Sequence, residues 1–158
     1  MKPRRDLETP WITSEGTLDL VRFPIDSILK QTLSPDFDQF RSGCMLLRSM
    51  AHGGRAEAGV YLVGLMHYYR HDLRRLDIIA EQLAYFHHVS SADALLAELR
   101  RVKSSNTTRR YLDRVVRSLI HFPGELVRAG LVELACDTSF SMKMRSKFSD
   151  ALECIDTF

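Results

Sequence analysis

The chain has 158 residues, a net charge of +2 and 27% charged residues, which is typical of a single globular domain. Its three cysteines are widely spaced and no apolar run is long enough to cross a bilayer, which argues against a disulfide framework, a thiolate zinc site and a membrane protein. The first residues are charged residues and prolines rather than an apolar run, so we expect a cytoplasmic protein without a secretory signal.

The first 22 residues contain prolines and a glycine without helical periodicity, which predicts an N-terminal arm, disordered or docked, that Trp11 can anchor. Residues 23–158 are predicted to form one domain. Its first apolar spacing predicts a short helix that ends before Pro35. A second helix is expected to be capped by Asp36 and to end at Gly53.

The same apolar pattern then recurs three times, with leucines at equivalent positions in each copy. The first leucines of the copies are 34 and 35 residues apart, and the second leucines keep the same register: they are Leu62 and Leu65, Leu96 and Leu99, and Leu131 and Leu134. A fixed period of this length is typical of stacked helical units, none of which can bury its apolar face alone. We therefore predict an all-α fold, a right-handed stack of antiparallel helix pairs with about eight helices. The predicted units lie near 23–53, 55–88, 90–122 and 124–156.

Within these units, capping residues and turns set the expected helix boundaries. Asp72 is expected to cap one second helix, whose apolar stripe extends to Phe86, and Ser90 or Ser91 is expected to cap the helix that follows. No segment shows the sustained alternation of apolar and polar residues that a strand needs.

These helix pairs resemble HEAT-like repeats, in which a first helix reads L-x-x-L and, after a polar turn, a second helix begins with a basic residue. The resemblance implies a scaffold whose concave face, lined by second helices, holds another macromolecule. It also implies a ladder of polar contacts between the turns and the second helices. Its expected members are Asp72 with Arg74 or Arg75, Asn106 with Arg110, and Asp137 with Lys143 or Arg145.

Charge is distributed unevenly along the chain. Residues 6–38 hold seven acids against two bases, whereas residues 100–128 hold eight bases against two acids. Aligned second helices repeat a basic residue at the same position, and basic residues in a first helical turn oppose the helix dipole. Two interpretations follow. The basic residues either bind carboxylates of the adjoining turn or unit, with i, i+4 pairs among Arg109, Asp113 and Arg117 within one helix, or form a basic binding groove. The candidate partner-binding residues are Arg74, Arg100, Arg101, Arg110, Arg114, Arg117, Lys143 and Lys147.

No catalytic or cofactor motif is present, so we expect a protein that is not an enzyme and has no cofactor. Four histidines within one unit can either converge on a metal ion or lie solvated at helix ends, and no acid or thiol completes a ligand set at suitable spacing. We therefore predict no metal site. These histidines are His67, His71, His87 and His88.

The favoured function is a non-catalytic interaction scaffold that binds either an acidic partner protein or a second copy of itself in a homodimer. The last helix offers Met142, Met144 and Phe148 for such an exposed end surface, although Phe148 is expected in the core. The alternative is a nucleic-acid-binding module that uses a basic helical face on phosphates. Its phosphate contacts would come from Arg100, Arg101, Lys103, Arg110, Arg114 and Arg117.

Overall fold

The structure, a computed structural model, describes residues 10–156 and is all-helical over that range. The eight helices are α1 (Ile25–Thr32), α2 (Phe37–His52), α3 (Ala56–Tyr68), α4 (Leu73–Leu83), α5 (Val89–Arg101), α6 (Arg109–Ile120), α7 (Gly124–Cys136) and α8 (Met142–Asp156). Between residues 10 and 156 there is no strand, only an isolated bridge between Ile12 and Leu18. None of the described helices combines the length and apolar character that a membrane span requires.

The helices pack as successive pairs in two layers. α1 packs on α2, α3 on α4, α5 on α6, and α7 on α8. One layer places α3, α5 and α7 side by side, and the other places α2, α4, α6 and α8 side by side. The predicted all-α stack of helix pairs is confirmed.

The repeated leucines form the core of the first layer. All six are at most 7% exposed, as the register of the repeat predicts. Each fully buried leucine side chain contributes roughly 1.5–3 kcal/mol, well above the ~0–1 kcal/mol of a surface ion pair. Gly130 lets α7 approach α5 closely, because a Cβ at this position would lie 2.5 Å from Cδ1 of Leu96. Burial of apolar surface therefore fixes how the units stack.

Three predicted helix caps have different outcomes. Asp36 accepts a hydrogen bond from the Gln39 amide at 2.9 Å, and Asp72 accepts one from the Arg75 amide at 3.1 Å, so both predictions are confirmed. The prediction for α5 is wrong, because the helix begins at Val89 and its N-cap is His88, not a serine. The imidazole Nδ1 of His88 accepts from the Ser90 amide at 3.2 Å.

Phe86 lies outside α4, which ends at Leu83, so its predicted place on the apolar stripe of that helix is also wrong. Its half-buried ring instead packs over Gly59 of α3. At the other end of the stack, Met144 and Phe148 are buried as core residues, and only Met142 of the three proposed end-surface residues is exposed.

The described part of the N-terminal arm, residues 10–22, is docked against the helices. Trp11 makes an edge-on contact with Phe23, with ring centroids 6.1 Å apart. The guanidinium of Arg55 donates to the Phe23 carbonyl at 2.6 Å, which fixes the end of the arm to the start of α3. Residues 1–9 of the predicted arm lie outside the described residues.

Candidate functional site

The structure separates the candidate basic residues into two groups on different layers. Six lie on the second helices of the pairs, and two, Arg100 and Arg101, lie on α5 in the other layer. The six are Arg74 on α4, Arg110, Arg114 and Arg117 on α6, and Lys143 and Lys147 on α8. The basic residues that sequence reasoning assigned to phosphate binding therefore do not share one face.

Two of the six are neutralised by carboxylates of the neighbouring unit. Arg114 lies with Nε 3.5 Å from Asp77 Oδ1 and with Nη1 3.5 Å from Glu81 Oε1, which joins α6 to α4. Lys147 of α8 forms a salt bridge with Asp113 of α6. Asp113 binds Lys147 and forms no salt bridge with Arg109 or Arg117, so the expected pairs within α6 do not form.

The ladder implied by the HEAT resemblance forms only in part. Arg75 Nε donates to Asp72 Oδ2 at 3.1 Å, as expected. The side-chain oxygen of Asn106 accepts from Arg109 at 3.1 Å rather than from Arg110, so that prediction is wrong. Asp137 is instead held by Ser139, and hydrogen bonding from Ser139 lowers the pKa of its carboxyl.

Arg110 and Arg117 remain without a carboxylate partner. Among residues 10–156, neither guanidinium lies within salt-bridge distance of an acid. Both line a groove of about 410 Å³ between α4 and α6. We call this surface the α6 basic face and define it by Arg109, Arg110, Arg114 and Arg117. The lining also includes Asp77 and Asp113, each of which forms a salt bridge with a basic residue, so the unpaired arginines leave the face with a net positive charge that attracts an anion.

An apolar groove of about 410 Å³ adjoins the α6 basic face and shares Arg110 with it. Leu73 and Ile78 of α4 contribute to its walls, together with Phe37 and Tyr111. Arg74 stands at its edge with the guanidinium carbon 3.8 Å from the centroid of the Phe37 ring, a cation–π contact. The arrangement places an apolar surface directly beside unpaired positive charge.

Arg100 and Arg101 on α5 are both engaged by carboxylates. Arg100 Nη2 lies 3.0 Å from Glu133 Oε2 on α7. Arg101 binds Glu98 through two hydrogen bonds of 2.8 and 2.7 Å. Both arginines therefore form salt bridges within the stack.

Sequence reasoning missed the buried cluster around Glu98. This side chain is 8% exposed and also accepts a hydrogen bond of 2.6 Å from the Tyr111 hydroxyl. Burial, followed by the hydrogen bond to Glu98, raises the pKa of the Tyr111 phenol. The available signal was a carboxylate lying between Leu95 and Leu99 on the apolar stripe of α5, with Arg101 three residues away.

The four histidines do not converge. His87 Nε2 lies 3.0 Å from the Ala84 carbonyl oxygen, and its ring packs on Phe122. His88 caps α5 and stacks on Phe86, while His67 and His71 lie exposed at the end of α3 and just beyond it. Across the described residues, no group of three or more His, Cys, Asp or Glu side chains is placed to hold a metal ion.

Comparison with protein-family models, with curated proteins and with solved structures gives no match to this chain.

Proposed function

We propose that this protein is a non-catalytic interaction module that binds an acidic segment of a partner protein on the α6 basic face. The observation that supports this function is the lack of carboxylate partners for Arg110 and Arg117, next to Arg114 and Lys147, which are paired. An arginine can bind a carboxylate through two parallel hydrogen bonds, so unpaired arginines favour acidic partners. In this proposal the stack is a HEAT-like repeat of a cytoplasmic protein, with its second helices forming the binding surface.

The adjoining apolar groove favours a peptide over a nucleic acid as the ligand. Its walls include Leu73 and Ile78, which suit an aliphatic or aromatic side chain flanked by Asp or Glu. Arg100 and Arg101, which the nucleic-acid alternative requires, are engaged by Glu133 and Glu98. The remaining basic surface offers few phosphate contacts, and affinity for nucleic acid depends mainly on their number.

The experiment compares binding of fluorescent decaglutamate, decaglutamine and a mixed-sequence DNA duplex by anisotropy at two salt concentrations. We expect decaglutamate to bind, decaglutamine not to bind, and DNA to bind more weakly. Arg110→Glu/Arg117→Glu should abolish binding of decaglutamate. The control, Lys30→Glu/Arg41→Glu, makes the same change in net charge at exposed residues of α1 and α2 and should leave binding within about threefold.

Three other results would contradict the proposal, each for a different reason. Equal loss in the two double variants would show that net charge, rather than the α6 basic face, attracts the peptide. Tighter binding of DNA, with a steep fall in affinity at higher salt, would favour the nucleic-acid alternative. Self-association of the unmodified protein that Arg110→Glu/Arg117→Glu disrupts would make the partner a second copy.

A further inference from the structure

A second pocket lies in the other layer, between α3 and α5, away from the α6 basic face. It has a volume of about 180 Å³, and its apolar lining consists of Val63 and Met66 from α3 and Ala94 and Ala97 from α5. Its polar lining consists of His67, Arg70, Glu98 and Arg101. The cavity is mainly apolar and has a few convergent polar groups, as ligand sites do, and its small volume suits a ligand of few atoms.

The repeat register shows why this junction differs from the next one. Met66 of α3 is equivalent to Arg100 of α5, and Glu98 of α5 is equivalent to Glu133 of α7. Between α5 and α7, Arg100 and Glu133 form a salt bridge across the junction. Between α3 and α5 the corresponding pair is Met66 and Glu98, so no such bridge can form.

The small size of Ala97 is also specific to this junction. The equivalent residue of α7 is Val132, which is larger. Ala97 is exposed and lines the pocket, so its short side chain leaves the space accessible from solvent. The stacking of units does not by itself require an alanine here, since the same register accepts valine.

The charge of the pocket favours an anion. Arg101 already neutralises the charge of Glu98, which also accepts a hydrogen bond from the Tyr111 hydroxyl. Arg70 is exposed, and its guanidinium has no carboxylate within salt-bridge distance in the described part of the chain. The arginines and Glu98 around the pocket therefore carry one net positive charge, beside an apolar wall that can contact an apolar ligand.

We propose that this pocket binds a small organic monoanion, a carboxylate attached to a compact apolar body. In the complex, Arg70 binds the carboxylate, while the apolar body lies against Val63, Met66 and Ala97. This site is independent of the proposed function, because its lining residues come from the α3 and α5 side of the stack and not from the α6 basic face, and because its ligand is not a macromolecule.

The experiment titrates hexanoate and, separately, phenylacetate into methyl-labelled protein and follows the NMR signals of Val63, Met66 and Ala97. Hexanamide and phenylacetamide serve as uncharged controls of the same shape. We expect saturable shifts with the carboxylates, with a Kd of about 1 mM, as is usual for ligands of this size. The amides should bind about threefold to tenfold more weakly.

Two variants locate the site. Ala97→Leu fills the pocket and should abolish the shifts of Val63 and Met66, whereas Ala129→Leu makes the same change at an exposed position of α7 and should leave hexanoate binding intact. Arg70→Gln should weaken the binding of hexanoate by the same factor as replacing hexanoate with hexanamide does in the unmodified protein. The variant should bind hexanamide with unchanged affinity. If Ala97→Leu does not fold, Arg70→Gln still tests whether hexanoate binds in this pocket.

Several outcomes would overturn the inference. One is the absence of saturable shifts with both carboxylates. Another is equal binding of amides and carboxylates, which would exclude an anion site. A third is hexanoate affinity that is unaffected by both Ala97→Leu and Arg70→Gln.

Discussion

Replacing Tyr111 with phenylalanine tests the buried cluster of Glu98, Arg101 and Tyr111. The substitution removes only a hydroxyl that donates to Glu98 Oε2 at 2.6 Å, and the ring, 3% exposed, keeps its packing. A hydrogen bond to a charged group is worth about 1.5–3 kcal/mol, and no cavity forms. We therefore expect Tyr111→Phe to lower the free energy of unfolding by about 1.5–3 kcal/mol. Glu98→Ala should cost at least as much, because it leaves the buried Tyr111 hydroxyl without an acceptor and Arg101 without its carboxylate.

Tyr111→Phe should also change how the free energy of unfolding depends on pH. An unfolded tyrosine ionises near pH 10, whereas burial and the Glu98 hydrogen bond raise the pKa of Tyr111 in the folded protein. Above about pH 10 the unfolded chain therefore binds fewer protons at this group than the folded protein does. The stability contributed by the protonated phenol is lost as pH rises, by about 1.4 kcal/mol per pH unit. Tyr111→Phe should remove this part of the alkaline decline.

The assay is urea unfolding followed by circular dichroism, at neutral pH and at several values above pH 10. Tyr68→Phe is the matched control, because Tyr68 is 69% exposed and its loss of a hydroxyl should change stability by less than about 0.5 kcal/mol. The reasoning is refuted if Tyr111→Phe is as stable as the control at neutral pH, or if its stability declines as steeply as that of the unmodified protein at alkaline pH.

Three further predictions concern packing and titration in the core. Gly59→Ala places a Cβ against the ring of Phe86 and should cost about 1–3 kcal/mol, whereas Gly64→Ala, with nothing within 4 Å, should raise stability by up to about 1 kcal/mol. Thermal unfolding compares these two variants, and equal melting temperatures would contradict the packing. Leu131→Ala should cost about 2–5 kcal/mol in urea unfolding, and a cost below about 1 kcal/mol would show that this leucine is not a core residue. Burial raises the pKa of Cys44 to about 12, whereas the thiol of an unfolded chain ionises at lower pH. Between pH 8 and pH 10, the free energy of unfolding should therefore fall by about 1.4 kcal/mol because of this group. Cys44→Ala should lack that loss in the same assay, and an equal decline in the variant would refute the assignment.

The stacking of the helices could be predicted from the sequence because the signal is local and periodic. Leu96 and Leu131 occupy equivalent positions, and each is buried where neighbouring first helices meet. The caps at Asp36 and Asp72 could be predicted because they are also local. In each, the carboxylate accepts from the backbone amide of the residue three positions later. The cap at His88 was missed because histidine is an uncommon acceptor at this position.

The candidate site was only partly predictable, because it depends on which side chains meet between units. The sequence places Arg110, Arg114 and Arg117 on one face of a helix, but it does not determine how that helix is rotated against its neighbour. In the structure this rotation brings Arg114 to Asp77 and Glu81 and leaves the other two arginines unpaired. The sequence also groups Arg100 with these residues, although α5 and α6 belong to different layers.

We propose that Arg110 and Arg117 are the residues that bind an acidic peptide on the α6 basic face. The most direct measurement follows the Nε–H NMR signals of every arginine during titration with decaglutamate. We expect large shifts for Arg110 and Arg117, smaller shifts for Arg114, and none for Arg100 and Arg101. Shifts confined to Arg100 and Arg101, or the same small shift at every exposed arginine, would contradict this proposal.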